Sequence, residues 1–80
     1  MAVKLLFLAQ CSDWIGFGEM SLALDHPQTL ENFLRDSALF EPLLKNRKML
    51  KVAVNHKLTD FSEEIKDHDE IAFLPPYSGG

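Results

Sequence analysis

Hydrophobic positions fall in four stretches of strand type and one of helix type. "VKLLFLA", Val3 to Ala9, is apolar at almost every position and predicts a strand with two apolar faces. Ser12 is placed to cap a brief helical turn, "SDWIG", that Gly16 closes. In "EMSLALD", Glu19 to Asp25, Met20, Leu22 and Leu24 alternate with Ser21 and Ala23, which predicts a second strand. Gly16 and Gly18 bracket the connection, so these two runs pair as an antiparallel hairpin, and "DHP" ends the second. Thr29 suits the N-cap of a helix over "LENFLRDSA", with Leu30, Phe33, Leu34 and Ala38 at i, i+3, i+4 and i+8. Glu31 in the first turn favours the positive end of that helix. Leu39, Phe40, Leu43 and Leu44, with Pro42 among them, read as a short irregular or helical connection. "MLKVAVNHK" (Met49–Lys57) and "EIAFL" (Glu70–Leu74) complete the strands, the turn-like "KDHDE" lying between them.

The order β, β, α, β, β with one main helix predicts an α+β domain, a single mixed sheet covered by a helix on one face. The first and last strands are the most continuously apolar and are expected side by side at the sheet centre. By element order this layout resembles the β-grasp, or ubiquitin-like, fold, with residues 1–74 as the domain and 75–80 as an extended C-terminal tail. Strand parity then sorts the side chains. With Val3, Leu5, Phe7, Ile71 and Phe73 facing the helix, Leu6, Leu8, Ala72 and Leu74 point the other way, and Leu58 joins them. One helix covers one face, so these five form an exposed apolar patch, the expected partner interface.

Composition narrows the function. Eighty residues make one small domain, and a net charge of −4 argues against a nucleic-acid partner. The apolar run near the start is too short to cross a membrane and lacks a secretory cleavage site. The single cysteine, Cys11, has no partner for an internal disulfide, which suits a reducing, cytoplasmic setting. It is read as a packed thiol, and Trp14 as a cover for one edge of the core. His26, His56 and His68 have no ligand spacing between them, so no metal is expected. Charge is uneven. Asp60, Glu63, Glu64, Asp67, Asp69 and Glu70 cluster against one lysine, while Lys45, Arg47, Lys48 and Lys51 form a basic run. The acidic run is either a solvated loop or a patch steering a basic partner surface beside the tail.

The end of the chain, "AFLPPYSGG", carries the most specific chemistry. Pro75 and Pro76 hold the exit from the last strand extended. Tyr77 offers one bulky contact and Ser78 a hydroxyl. Gly79 and Gly80 have no side chains, so the last peptide fits a channel only as wide as a backbone. Such a tail is shaped to carry its own carboxylate into another protein's active site.

"VAVN", "DHDEIAFLPP" and the final "SGG", together with the opening "VKLLFLAQ", resemble the small subunit of molybdopterin synthase, the MoaD-like sulfur carriers. Tyr77 stands where that family carries a small aliphatic residue, and "CSDWIG" lacks the arginine–glutamate pair often found there. The resemblance implies a carrier with no activity alone and no tightly bound cofactor. A ubiquitin-activating-enzyme-like adenylyltransferase would use ATP and magnesium to adenylate the carboxylate of Gly80, and a persulfide source would convert it to a thiocarboxylate. Docked on the large subunit of molybdopterin synthase, the carrier would donate sulfur to cyclic pyranopterin monophosphate in molybdenum cofactor biosynthesis. Gly79 would form the thin neck, Ser78 and Tyr77 would line the entry, and Pro75 and Pro76 would set the angle. Leu8, Leu58 and Leu74 match the family's docking positions, and two carriers on a large-subunit dimer make the expected heterotetramer. The competing readings are a sulfur carrier for thiazole or tRNA thiolation, a ubiquitin-like modifier joined through Gly80 to a lysine, and a β-grasp binding module with no activated terminus.

Overall fold

Alternation in the first strand decides the architecture. In β1 (Ala2–Phe7) Val3, Leu5 and Phe7 are buried, whereas Ala2 and Lys4 are exposed and Leu6 is half-buried. The computed structural model describes residues 1–75. After α1 (Gln10–Ile15) the chain returns as β2 (Glu19–Ala23), antiparallel to β1 with Leu5 opposite Met20, the hairpin expected from the two glycines. Gly16 ends α1 in the left-handed region at φ 92°. The helix starts earlier than Ser12, however. Ser12 lies inside it and its Oγ donates back to the Ala9 carbonyl at 2.7 Å, so the hydroxyl serves the first turn from within.

A short strand β3 (Gln28–Thr29) leads into α2 (Leu30–Leu34), where Thr29 Oγ1 accepts from the Asn32 amide at 3.1 Å as a side-chain N-cap. The helix stops well before Ala38, which is exposed. Ser37 accepts from the Leu39 amide and starts a 3-10 turn at Ala38–Phe40, and Pro42 occupies the first turn of α3 (Glu41–Lys45). A polar residue bonding its own backbone and a proline thus divide what periodicity alone joins. Phe40 and Leu43 from this segment are buried in the core.

After a further 3-10 turn at Arg47–Met49 come β4 (Lys51–Val54) and β5 (Lys57–Thr59), where a single strand over 49–57 was expected. Asn55 and His56 take φ of 51° and 73°, the two positive values of a tight hairpin turn. The signal is hidden because histidine stands where such turns usually carry glycine. β6 (Glu64–Ile65) pairs with β3 as a two-stranded ribbon, and β7 (Glu70–Leu74) follows the turn at 66–69.

The main sheet runs β2-β1-β7-β4-β5, with β7 parallel to β1 and antiparallel to β4. The first and last strands are neighbours at its centre, as their apolar sequences predict. Every helix contributes buried residues to one core: Cys11 and Ile15 from α1, Leu30, Phe33 and Leu34 from α2, and Leu43 from α3 meet Leu5, Phe7, Val52, Ile71 and Phe73 of the sheet. Phe7 stacks between Phe73 and Phe40, with ring centroids 5.5 and 6.3 Å away. Trp14 packs against the margin of this core. The result is a mixed sheet with helices on one face, the β-grasp arrangement.

The acidic stretch is partly structural. Asp67 Oδ1 accepts from the Ala2 amide at 2.8 Å, and the His68 amide donates to the Ala2 carbonyl, which fastens this turn to the start of β1. Asp69 is only 3% exposed. Its carboxylate accepts from Asn55 Nδ2 and from the Lys66 amide, each at 2.8 Å, while the Glu70 amide donates to Asn55 Oδ1 at 2.9 Å. Asp69 is therefore an internal clasp between the β4–β5 turn and the start of β7, and not a solvated charge.

Candidate functional site

With the helices all on one side, the other side of the sheet is left to the outward set. Register places its members in rows. Leu6 of β1 lies opposite Ala72 of β7, Ala72 opposite Ala53 of β4, and Ala53 opposite Leu58 of β5. The next row toward the end of the domain holds Leu74 opposite Lys51, and the Leu8 amide donates to the Phe73 carbonyl beside it. Leu6, Ala72 and Leu74 are half-buried, Leu8 is 42% exposed and Leu58 69% exposed. None of them belongs to the hydrophobic core. Ala53 and Lys51 belong to this face too and were missed from sequence. Only the strand register reveals them, because β4 was read as part of a longer strand.

Polar groups border the apolar rows. Lys4 Nζ lies 3.8 Å from Glu19 Oε2, and His56 Nε2 lies 3.7 Å from Glu70 Oε1. Glu70 pairs with Lys4 at the opposite end of β7 from Leu74, about 13 Å away at ~3.3 Å per residue. The acidic turn is thus at the far end of the strand from Pro75, and the basic run ends at Lys51, opposite Leu74 at the near end. Closeness in sequence pointed the other way, because one strand's length separates the two ends.

Cys11 is fully buried, and burial pushes its thiol up from the ordinary value of 9.0, which keeps it protonated and out of reach. His26, His56 and His68 are exposed, and among the described residues no three His, Cys, Asp or Glu side chains gather to hold a metal ion. No described helix is long and apolar enough to cross a membrane. Pro75 follows β7 half-buried, whereas the expected tail positions Pro76, Tyr77, Ser78, Gly79 and Gly80 lie outside the described residues. What the body offers is an apolar surface around the strand that leads to the tail.

Comparison with known proteins agrees with this fold. The model of the ThiS family matches residues 5–80. A molybdopterin synthase sulfur carrier subunit from Escherichia coli (strain K12) is 33% identical, the match covering 98% of this chain and 99% of that one. SAMP1 from Haloferax volcanii has the same fold, with a TM-score of 0.78 at 23% identity over all of both chains. A chain in a protein–protein complex of subunits 1 and 2 of molybdopterin-converting factor from Helicobacter pylori 26695 superposes over the full length of both chains with a TM-score of 0.64 at 24% identity. With a family model covering nearly the whole chain and a full-length relative at one-third identity, the chain belongs to the ThiS family.

Proposed function

We propose that this chain is the sulfur-carrier small subunit of a molybdopterin synthase. The observation that carries the reading is the nearly full-length similarity to a molybdopterin synthase sulfur carrier subunit. The carboxylate of Gly80 is the reacting group. A carboxylate is a poor electrophile, so a ubiquitin-activating-enzyme-like adenylyltransferase activates it: the carboxylate joins the α-phosphate of ATP, with magnesium, and pyrophosphate leaves. The terminal sulfur of a protein persulfide then displaces AMP and forms an acyl disulfide, and a thiol attacks the persulfide's inner sulfur, so that the thiocarboxylate leaves and the two thiols end as a disulfide. Two rounds of donation to cyclic pyranopterin monophosphate build the dithiolene that holds molybdenum. The chain itself binds no cofactor tightly and works in the cytoplasm.

Recognition falls to the body of the domain. Leu6, Leu8, Leu58, Ala72 and Leu74 are the docking surface for the large subunit, and a heterotetramer of two carriers on a large-subunit dimer is the proposed assembly. The Helicobacter pylori structure is described as a complex of the two subunits, which supports a partner of this kind. Pro75 and Pro76 direct the tail, Ser78 and Tyr77 line its entry, and Gly79 is the neck that passes into the partner's site.

The test is intact mass after incubation with ATP, magnesium, the cognate activating enzyme and a sulfur donor. The expected result is a gain equal to the exchange of one oxygen for sulfur, located on the Gly80 peptide. An isopeptide-linked conjugate to a lysine would turn the reading to a protein modifier, and an unchanged mass with a competent enzyme would refute it. A Leu58→Asp chain is expected to fold normally and to dock poorly.

A further inference from the structure

The outer face carries four charged side chains on its strands, and three of them have local partners. Lys4 faces Glu19, and Glu70 faces His56. Lys51 is the fourth. It is exposed, it points outward because its neighbour Val52 is fully buried, and it makes no ion pair among the described residues. Register sets it opposite Leu74, in the last row before the chain leaves the sheet.

From this placement we infer that Lys51 is a specificity determinant of docking, read by a carboxylate on the large subunit. The inference rests on the proposed docking of that subunit to the outer face. A partner that covers Leu74 also covers or borders Lys51, and an ammonium removed from water without a counter-charge is costly. A lysine tolerates such a place because its four-carbon stem extends the apolar surface while the charge reaches the rim. An acidic group on the partner's rim meets that charge, and a partner lacking one leaves it uncompensated.

The surroundings give the same sign. Lys45 and Lys48 precede Lys51 on the same approach to β4 and are exposed. Arg47 is already engaged, donating from Nη1 to the Leu44 carbonyl at 2.9 Å with Nε 3.7 Å from Glu31. In a chain of net charge −4 this local excess of cations is an exception, and it lies at the end of β7 from which the tail departs. An acidic partner rim would be drawn to this end and repelled by the acidic turn at the other, which orients the carrier before the apolar rows meet.

The experiment measures the affinity of the full chain for the large subunit of molybdopterin synthase from the same organism, at low and at moderate salt, with thermal melting of every variant as a folding control. The variants are Lys51→Arg, Lys51→Gln, Lys51→Glu and Leu58→Asp. Lys51→Arg is expected to bind within about twofold of the parent, Lys51→Gln several-fold more weakly, and Lys51→Glu at least about tenfold more weakly. Salt should weaken the parent more than Lys51→Gln. If Leu58→Asp weakens binding while Lys51→Glu binds like the parent, the face is right and the role of Lys51 is refuted. If the parent does not bind, or Leu58→Asp binds unchanged, the docking face itself is refuted and the inference falls with it.

Discussion

Replacing Asn55 probes how the start of β7 is held. Its Nδ2 donates to the buried Asp69 carboxylate and its Oδ1 accepts from the Glu70 amide, while its own φ is 51°. In Asn55→Ala the carboxylate loses a neutral donor at 2.8 Å, and its Oδ1 is left with the exposed Lys66 ammonium at 3.6 Å. A hydrogen bond to a charged group contributes about 1.5–3 kcal/mol, and the Glu70 amide adds about 0.5–1 kcal/mol. Alanine in the left-handed region costs about 1 kcal/mol more than asparagine. The total is about 3–5 kcal/mol, a large share of the roughly 4–12 kcal/mol available to 80 residues. With an unfolding entropy near 2.1 cal/mol/K per residue, each kcal/mol moves the midpoint by about 6 °C, so the variant should melt about 20 °C or more below the parent. Asn55→Gly loses the same bonds without the backbone strain and should melt about 6 °C above Asn55→Ala. Asn55→Asp keeps the acceptor for Glu70 but sets a second carboxylate against Asp69, and should be the least stable of the three at neutral pH. Circular dichroism melts of the series decide the matter. An aspartate variant as stable as the parent, or an alanine variant within about 3 °C of it, would refute the clasp.

Three further outcomes are expected. Ala9 has φ 48° and ψ −125°, a conformation suited to glycine, so Ala9→Gly should raise stability by about 1 kcal/mol, and a lower melting midpoint would refute the strain. Cys11 should react with iodoacetamide about a hundredfold more slowly in the folded chain than in denaturant, because its burial permits attack only on opening. The Ala2 amide foremost, against a smaller opposing effect of burial and aided by His68 and the N-terminal ammonium, holds the Asp67 carboxyl below its ordinary 3.8. A depressed carboxyl stabilises the fold above its unfolded value and loses that effect as pH falls through the folded one. The stability gap between the parent and Asp67→Asn should therefore be present at neutral pH and close below pH 3.8, and a gap that persists in acid would refute the assignment.

Local pattern made the sheet legible because its central strands are strongly apolar. Leu5, Phe7, Ile71 and Phe73 stand in the core where alternation puts them, and Thr29 caps the helix where its hydroxyl predicts. What escaped were places where one residue redirects the chain. Asn55-His56 turns β4 back as β5 without a glycine, and Ser37 and Pro42 stop a helix whose apolar spacing continues past them. Asp69 escaped for another reason. Nothing local distinguishes a buried carboxylate from its solvated neighbours, because its partner Asn55 is fourteen residues away in sequence. Lys51 and Ala53 entered the candidate site only once register was known, since facing partners across a sheet leave no mark in either strand alone.

The position of β7 has a mechanical consequence. A carrier of the proposed kind, which would present its terminus to successive partners, needs a root that does not yield when the tail is drawn into a site. β7 is the central strand, bonded to β1 on one edge and β4 on the other, and its alternate residues serve both faces: Ile71 and Phe73 enter the core while Ala72 and Leu74 face out. Pulling on Leu74 therefore works against two ladders and the Phe7–Phe73 stack at once. β5, by contrast, is a three-residue edge strand with one ladder, and β3 with β6 makes a ribbon of two residues each. Amide exchange follows local opening. The β7 amides bonded within the sheet should exchange only with global unfolding and keep the full stability of the domain, whereas Lys57 and Thr59 of β5 and the β3–β6 ribbon open earlier. Exchange of β7 as fast as that of β5 would show that the root is soft, and that its partners, rather than the sheet, hold the tail in place.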